Sequence, residues 1–176
     1  MKKPKLTVKD MAYCAIGAAL LSVSAWISIP IPQVSFTMQS FAVFFILGLL
    51  GGRRGTISIG IYLFLGFVGL PVFSGFRGGV GVILGVTGGY IWGFLLAGLL
   101  YWAVTAVFGQ TTRIRLTAMF LGMALCYLCG TVWYQQLYGG SFWVVITACV
   151  LPYLLPDGAK ILLALSLAGR LNKIIK

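Results

Sequence analysis

The sequence predicts an all-α membrane protein, a bundle of six transmembrane helices with both termini in the cytoplasm. The composition, the apolar segments and the positions of the basic residues lead to this prediction. Of 176 residues, 60% are hydrophobic and 9% are charged, and the mean hydropathy is +1.04, whereas a soluble domain has about 25% charged residues. The chain has too few polar side chains to cover its own surface, so lipid must solvate most of it.

Apolar segments of near-spanning length follow one another along the chain, since a membrane helix needs about 20 mostly apolar residues. The first ends at the Pro30-Ile31-Pro32 turn. Residues 71–85 are rich in glycine and contain Arg77, so we expect a structured loop there. Pro152 and Pro156 should kink or break the last span. The predicted spans are residues 8–29, 36–50, 56–69, 87–108, 116–138 and 142–168, and they form one transmembrane domain over residues 1–176.

The basic residues test this topology independently, because Lys and Arg favour cytoplasmic loops. Eleven of the thirteen lie at the termini or in alternate loops, whereas Arg77 lies in an opposite loop and Lys160 within the sixth span. Five or seven spans would place the lysines of one terminus outside. The eleven cytoplasmic residues are Lys2, Lys3, Lys5, Lys9, Arg53, Arg54, Arg113, Arg115, Arg170, Lys173 and Lys176.

The residue content argues against several other classes of protein. The chain has no histidine and only two acids, Asp10 and Asp157, which leaves little material for an enzyme. Its net charge of +11 does not indicate nucleic-acid binding, because the basic residues lie between apolar segments instead of forming one face. Cys126 and Cys129 have no second Cys or His cluster to complete a zinc site. We therefore expect no metal, no cofactor and no nucleic-acid partner.

Two alanines on the first helix, Ala15 and Ala19, form a small-x-x-x-small pair. Such a face lets two membrane helices approach closely. The pair fits either a contact inside the bundle or docking onto another membrane subunit.

Asp157 and Lys160 lie within the sixth span, where ionised side chains are rare and mark candidate functional sites. Their spacing of three residues places them on one face of a helix, where they can pair. Pro156 precedes them and predicts a helix start whose free amides face a cavity. The pair is either a structural ion pair or part of a solute site. Arg77, in its glycine-rich loop, could bind a carboxylate through its planar guanidinium.

Several strings of the chain together carry a family resemblance. The strongest run from Gly69-Leu70-Pro71-Val72-Phe73 through Arg77-Gly78-Gly79 to Thr87-Gly88-Gly89-Tyr90-Ile91-Trp92-Gly93-Phe94, and supporting strings stand at residues 31–32, 36–43, 52–55 and 155–160. From about residue 12 to residue 171 the chain resembles the BioY family, the biotin-binding S-components of energy-coupling factor (ECF) transporters. Val86 stands where the family usually has proline.

The resemblance implies an S-component-like bundle in a prokaryotic plasma membrane that captures biotin from outside. Such subunits pair with a transmembrane coupling subunit and two cytoplasmic ATPases, which must hydrolyse ATP because this chain has no P-loop. Ala15 and Ala19 match the alanine motif that contacts the coupling subunit.

The resemblance and the chemistry of biotin together give the expected substrate site. A cation suits the biotin carboxylate, and both Lys160 and Arg77 remain candidates, whereas Asp157 suits the ureido N–H groups. The expected site also includes aromatic residues that could form a wall around the ring system, and further residues of the matched strings. These residues are Phe36, Gln39, Gly88, Gly89, Tyr90, Trp92 and Tyr153. Two alternatives remain open: an S-component for another small vitamin, and a membrane assembly or scaffold protein without a solute.

Overall fold

The structure is a computed structural model that describes residues 6–31, 35–139 and 141–175, without the side chains of residues 174 and 175. Lys2, Lys3, Lys5, Pro32 and Lys176, on which parts of the topology prediction depend, lie outside the described residues.

The described residues form seven helices and one two-stranded antiparallel hairpin. The elements are α1 Val8–Trp26, β1 Ser28–Ile29, β2 Phe36–Thr37, α2 Gln39–Phe67, α3 Val80–Ile83, α4 Gly88–Phe108, α5 Thr112–Tyr138, α6 Phe142–Cys149 and α7 Leu151–Ile175. Five of these helices, α1, α2, α4, α5 and α7, are long and apolar enough to cross a membrane.

The first predicted span ends earlier than expected, at Trp26, because β1 is already extended and pairs with β2. Residues before a proline disfavour helical dihedrals, and Ile29 precedes Pro30. The hairpin corrects the all-α prediction. It also delays the start of the second span from residue 36 to Gln39.

The second and third predicted spans are the two arms of α2, which break at Gly51. This glycine has φ 81° and ψ 170°, a conformation that glycine adopts readily. A Cβ atom on Gly55 would lie 3.0 Å from Leu47 Cα, although residues eight apart in a continuous helix are separated by about 12 Å along its axis. The chain therefore reverses at Gly51, and we call residues 39–50 the first arm and residues 52–67 the second arm.

The reversal leaves carbonyl groups at the end of the first arm without the amides of a following turn. Arg115 Nη2 of α5 donates a hydrogen bond to Gly48 O, and Asn172 Nδ2 of α7 donates to the same oxygen at 3.3 Å. Arg115 Nε also donates to Tyr101 OH at 3.2 Å. A cation at this end complements the helix dipole, so Arg115 joins the first arm to α4 and α5.

Glycines let the long helices approach closely, as expected for helices that associate in lipid. A Cβ atom on Gly93 of α4 would lie 2.9 Å from Cys126 Cα of α5, and one on Gly52 would lie 2.6 Å from Trp102 Cα of α4. The buried core between these helices includes Leu21, Phe44, Ile46, Ile59, Tyr62, Tyr101, Met119 and Ile161.

The fifth predicted span needs correction at its start, and the sixth needs correction at its internal break. Thr111 caps α5 by accepting a hydrogen bond from Ile114 N, so Arg113 and Arg115 lie in the first turn and not in a loop. The sixth span breaks at Val150, between α6 and α7, and Pro156 lies inside α7. The predicted helix start at Pro156 is therefore wrong. Pro152 occupies the first turn of α7, where a missing amide costs little.

We expect Arg115→Met to lower the thermal unfolding temperature in detergent by several degrees, because the first arm loses a charged cap worth about 1–3 kcal/mol. Arg113→Met is the matched control, since Arg113 is exposed in the same helical turn and its loss removes the same charge. Equal unfolding temperatures for the two variants would contradict the capping role.

Candidate functional site

One cavity in the described part of the chain gathers most of the predicted site. It encloses about 770 Å³, a volume that includes the open space at its mouth. The hairpin, the first arm, the segment before α4, and helices α4, α5, α6 and α7 form its walls. The lining residues are Ser35, Phe36, Thr37, Gln39, Ser40, Phe73, Ser74, Arg77, Val82, Thr87, Tyr90, Ile91, Phe94, Met123, Cys126, Tyr127, Cys149, Tyr153, Asp157 and Lys160.

An ion pair forms the polar part of this cavity. Lys160 Nζ lies 2.9 Å from Asp157 Oδ1, and both side chains are buried. The two residues face the same way because they are three apart in α7. Two charges removed from water need further hydrogen bonds to offset their desolvation.

The protein itself supplies those bonds to the lysine. Lys160 Nζ donates to Thr37 O at 2.7 Å, to Ser40 Oγ at 3.1 Å and to Asp157 Oδ1 at 2.9 Å. An ammonium group has three donors, and all three are therefore used. The ammonium also lies 3.8 Å from the centroid of the Phe36 ring, in cation–π geometry.

The carboxylate is held from two further helices. Ser40 Oγ of the first arm donates to Asp157 Oδ1 at 2.8 Å, and Tyr127 OH of α5 donates to Asp157 Oδ2 at 2.7 Å. With Lys160, three bonds reach a group that offers about four lone-pair sites. Asp157 thus keeps acceptor capacity for about one donor of a ligand.

The remaining wall is largely aromatic. The rings of Phe36 and Tyr153 stack with centroids 6.1 Å apart, and Phe73, Tyr90 and Phe94 also line the cavity. An aromatic wall favours a ligand with an apolar ring and excludes water from the ion pair.

Two buried polar groups on lining residues have no hydrogen-bond partner among the described residues: Gln39 Nε2 and Tyr90 OH. Leaving such groups unpaired is unfavourable, so each is a candidate to bind a ligand.

Arg77 lies at the mouth of the cavity and is exposed. Its Nε donates to Ser74 O at 3.1 Å within its own turn. The two acids of the chain pair with other cations, Asp10 with Arg54 at 2.5 Å and Asp157 with Lys160. In the described ranges, Arg77 is therefore a cation without a side-chain carboxylate partner.

Seven of the nine predicted substrate residues line the cavity: Asp157, Lys160, Arg77, Phe36, Gln39, Tyr90 and Tyr153. Gly88 and Gly89 do not, because they pack between helices. A Cβ atom on Gly88 would lie 1.9 Å from Ile83 O, and one on Gly89 would lie 2.3 Å from Trp133 Cβ. Trp92, expected in the aromatic wall, is exposed and lies outside the lining.

Ser40 and Tyr127 are the main residues that the sequence analysis missed. Ser40 stands in a string that carried the family resemblance, beside Gln39, and this position was the available signal. Tyr127 lies between two cysteines in an apolar segment, and nothing in its local sequence indicates a bond to an acid thirty residues later.

Ala15 and Ala19 are both exposed on the outer face of α1, away from the bundle. Gly17 and Ala18, by contrast, are buried, and a Cβ atom on Gly17 would lie 2.5 Å from Ser58 Oγ. The alanine pair therefore does not form a contact inside the bundle.

Known proteins resemble the chain over nearly its whole length. A biotin transporter BioY of Thermotoga maritima is 35% identical over 95% of this chain and 98% of its own, and a probable biotin transporter BioY of Pyrococcus horikoshii is 37% identical over the same shares. The crystal structure of the S-component for biotin from an ECF-type ABC transporter superposes with a TM-score of 0.84 at 28% identity, covering 94% of this chain and 92% of that one. A sequence model of the BioY family matches residues 1–176, and the chain therefore belongs to the BioY family.

Proposed function

We propose that this chain is the biotin-binding membrane subunit of an ECF-type vitamin uptake transporter. It captures biotin on the extracellular side of the cell membrane, and partner ATPases drive import. The relatives named as biotin transporters and the biotin S-component of the same fold support this ligand. The observation that carries the proposal is an aromatic cavity that ends in the buried Asp157–Lys160 pair.

The ureido ring of biotin binds at the polar part of the cavity. One ureido N–H donates to the remaining acceptor site of Asp157, and Gln39 Nε2 donates to the ureido oxygen. The thioether ring packs against Phe36 and Tyr153, whose stacked rings form an apolar wall. The ureido oxygen and one ureido N–H group then each meet a complementary group of the protein.

Arg77 binds the carboxylate of biotin, in preference to Lys160. Lys160 already donates to three acceptors and would have to break a buried bond to bind a second anion. Arg77 lies at the mouth, where the flexible valeryl chain ends once the ring is inside. Its guanidinium suits bidentate binding of a carboxylate.

Six spans with cytoplasmic termini fit the fold when the two arms of α2 count separately and α6 with α7 forms a broken sixth span. One end of the bundle contains the Arg54–Asp10 ion pair. It also contains Gly48 O with its two hydrogen-bond donors, Arg115 and Asn172. This end also receives most of the basic residues and is cytoplasmic by the positive-inside rule. Arg77 and the cavity lie at the opposite end.

The coupling subunit docks on the outer face of α1, at Ala15 and Ala19, and two cytoplasmic ATPases supply the energy. The exposure of both alanines supports this assignment. Small residues allow another membrane helix to approach closely.

We expect Asp157→Asn to weaken biotin binding by about tenfold or more, because a charge-assisted bond to the ureido group is lost. Isothermal titration of purified protein with a panel of small vitamins measures this. Asp10→Asn is the matched control, since Asp10 is the other buried, ion-paired acid and lies at the opposite end. Normal biotin affinity in a folded Asp157→Asn variant would show that the ion pair has only a structural role. Tighter binding of another vitamin would show that biotin is not the preferred ligand.

We expect a cysteine at position 77 to react with an impermeant maleimide added to intact cells, because Arg77 lies on the extracellular side. Arg113→Cys, at the basic end, should react only after permeabilisation. Both variants need a background without the native Cys14, Cys126, Cys129 and Cys149. The reverse pattern of labelling would overturn the topology.

Replacing both Ala15 and Ala19 with Trp should abolish co-purification with the coupling subunit and leave biotin affinity unchanged. The bulky rings block close helix approach, and neither residue contacts the cavity. Ala18→Trp is the control on the inner face, where overpacking costs about 1–3 kcal/mol and should lower stability and binding together. Retained co-purification of the double variant would place the docking face elsewhere.

A further inference from the structure

The loop that carries Arg77 is fastened to the end of α1 by Trp26, a residue outside the cavity. Trp26 Nε1 donates a hydrogen bond to Pro71 O at 2.8 Å. The Trp26 ring also stacks on Phe76, with centroids 5.0 Å apart and planes at 25°. One indole therefore holds both ends of the segment that leads into Arg77.

The turn before Arg77 has a backbone that needs such support. Phe73 N donates to Arg77 O at 2.9 Å and closes a three-residue turn, in which Gly75 has φ 72° and Phe76 has φ 56°. Phe76 is the one residue other than glycine with positive φ in the described ranges. A bulky side chain in this region is strained and persists where its surroundings hold it. The stack on Trp26 provides that constraint.

The turn is also held from inside the protein. Phe73 is buried and meets the Tyr62 ring edge to face at 5.4 Å. Arg77 thus stands between an inner anchor, Phe73, and an outer contact, the Trp26–Phe76 stack. The bond from Arg77 Nε to Ser74 O fixes the guanidinium within the turn and leaves its terminal nitrogens for a ligand.

We propose that Trp26 and Phe76 are positioning residues that hold Arg77 in place for the anionic end of the ligand. The inference rests on the proposed function, in which Arg77 binds the biotin carboxylate. A guanidinium held in place before binding loses less conformational entropy when the ligand arrives. Without the stack, the turn relaxes from its strained backbone and Arg77 samples orientations that miss the carboxylate. The contribution of the stack is therefore specific to the charged end of the ligand.

The experiment compares two ligands by isothermal titration: biotin, and biotinamide, in which a neutral amide replaces the carboxylate. Wild type should prefer biotin by about tenfold or more, and Arg77→Gln should lose most of this preference. Phe76→Ala and Trp26→Ala should each reduce the preference by several-fold while their affinity for biotinamide stays at the wild-type value. Phe76→Tyr keeps the ring and should keep the preference. Phe67→Ala, which removes another exposed aromatic side chain at the end of α2, should change neither affinity.

Four results would overturn the inference, and they point to different faults. An unchanged preference in Phe76→Ala and Trp26→Ala, with loss in Arg77→Gln, would leave the role of Arg77 standing and remove that of the stack. Equal weakening of both ligands would show that the stack supports the cavity in general and not Arg77. An unchanged preference in Arg77→Gln would place the carboxylate elsewhere, and failure of wild type to bind either ligand would refute the proposed function itself.

Discussion

The buried pair of Asp157 and Lys160 is the interaction on which the arrangement of the cavity depends. Two ions in a low-dielectric interior are stable only if every donor and most acceptors are paired. The lysine reaches Thr37 O and Ser40 Oγ, and the aspartate accepts from Ser40 and Tyr127. These bonds tie α7 to the hairpin, the first arm and α5, so satisfying the charges also fixes three walls of the cavity. One acceptor site of Asp157 remains, and the site is therefore nearly complete before a ligand enters.

Few charges lie within the bundle, and most of those that do are committed to structure. Arg54 pairs with Asp10 at the start of α1, and Arg115 caps the first arm where the chain reverses at Gly51. Lipid provides no hydrophobic driving force between helices, so these bonds and the close glycine contacts hold the helices together. Arg77 differs, since it is exposed beside the cavity and has no acid to pair with. A carboxylate from a ligand would supply the ion-pair partner that Arg77 lacks.

Helix α1 connects the two activities expected of the chain. Its outer face carries Ala15 and Ala19, its inner face packs Gly17 against Ser58, and its last residue, Trp26, contacts the loop before Arg77. Under the proposed function, docking of a partner and support of the ligand site use different parts of this helix.

Hydropathy, charge and a spacing of three residues were enough to predict the membrane class, the position of most long helices, the basic end and the Asp157–Lys160 pair, because they describe neighbours that are local in the chain. The residues that meet across helices became known from the three-dimensional arrangement alone. It brought Ser40 and Tyr127 to Asp157 and Trp26 to Phe76. It also assigned Gly88 and Gly89 to helix packing, and moved the break in the sixth span from Pro156 to Val150. The contacts of Asp157, Trp26 and Gly89 join residues far apart in sequence, and they depend on the rotation and height of each helix in the bundle. Periodicity and hydropathy determine neither the rotation nor the height of a helix, because any apolar face can contact lipid. The close packing of side chains between helices selects one arrangement.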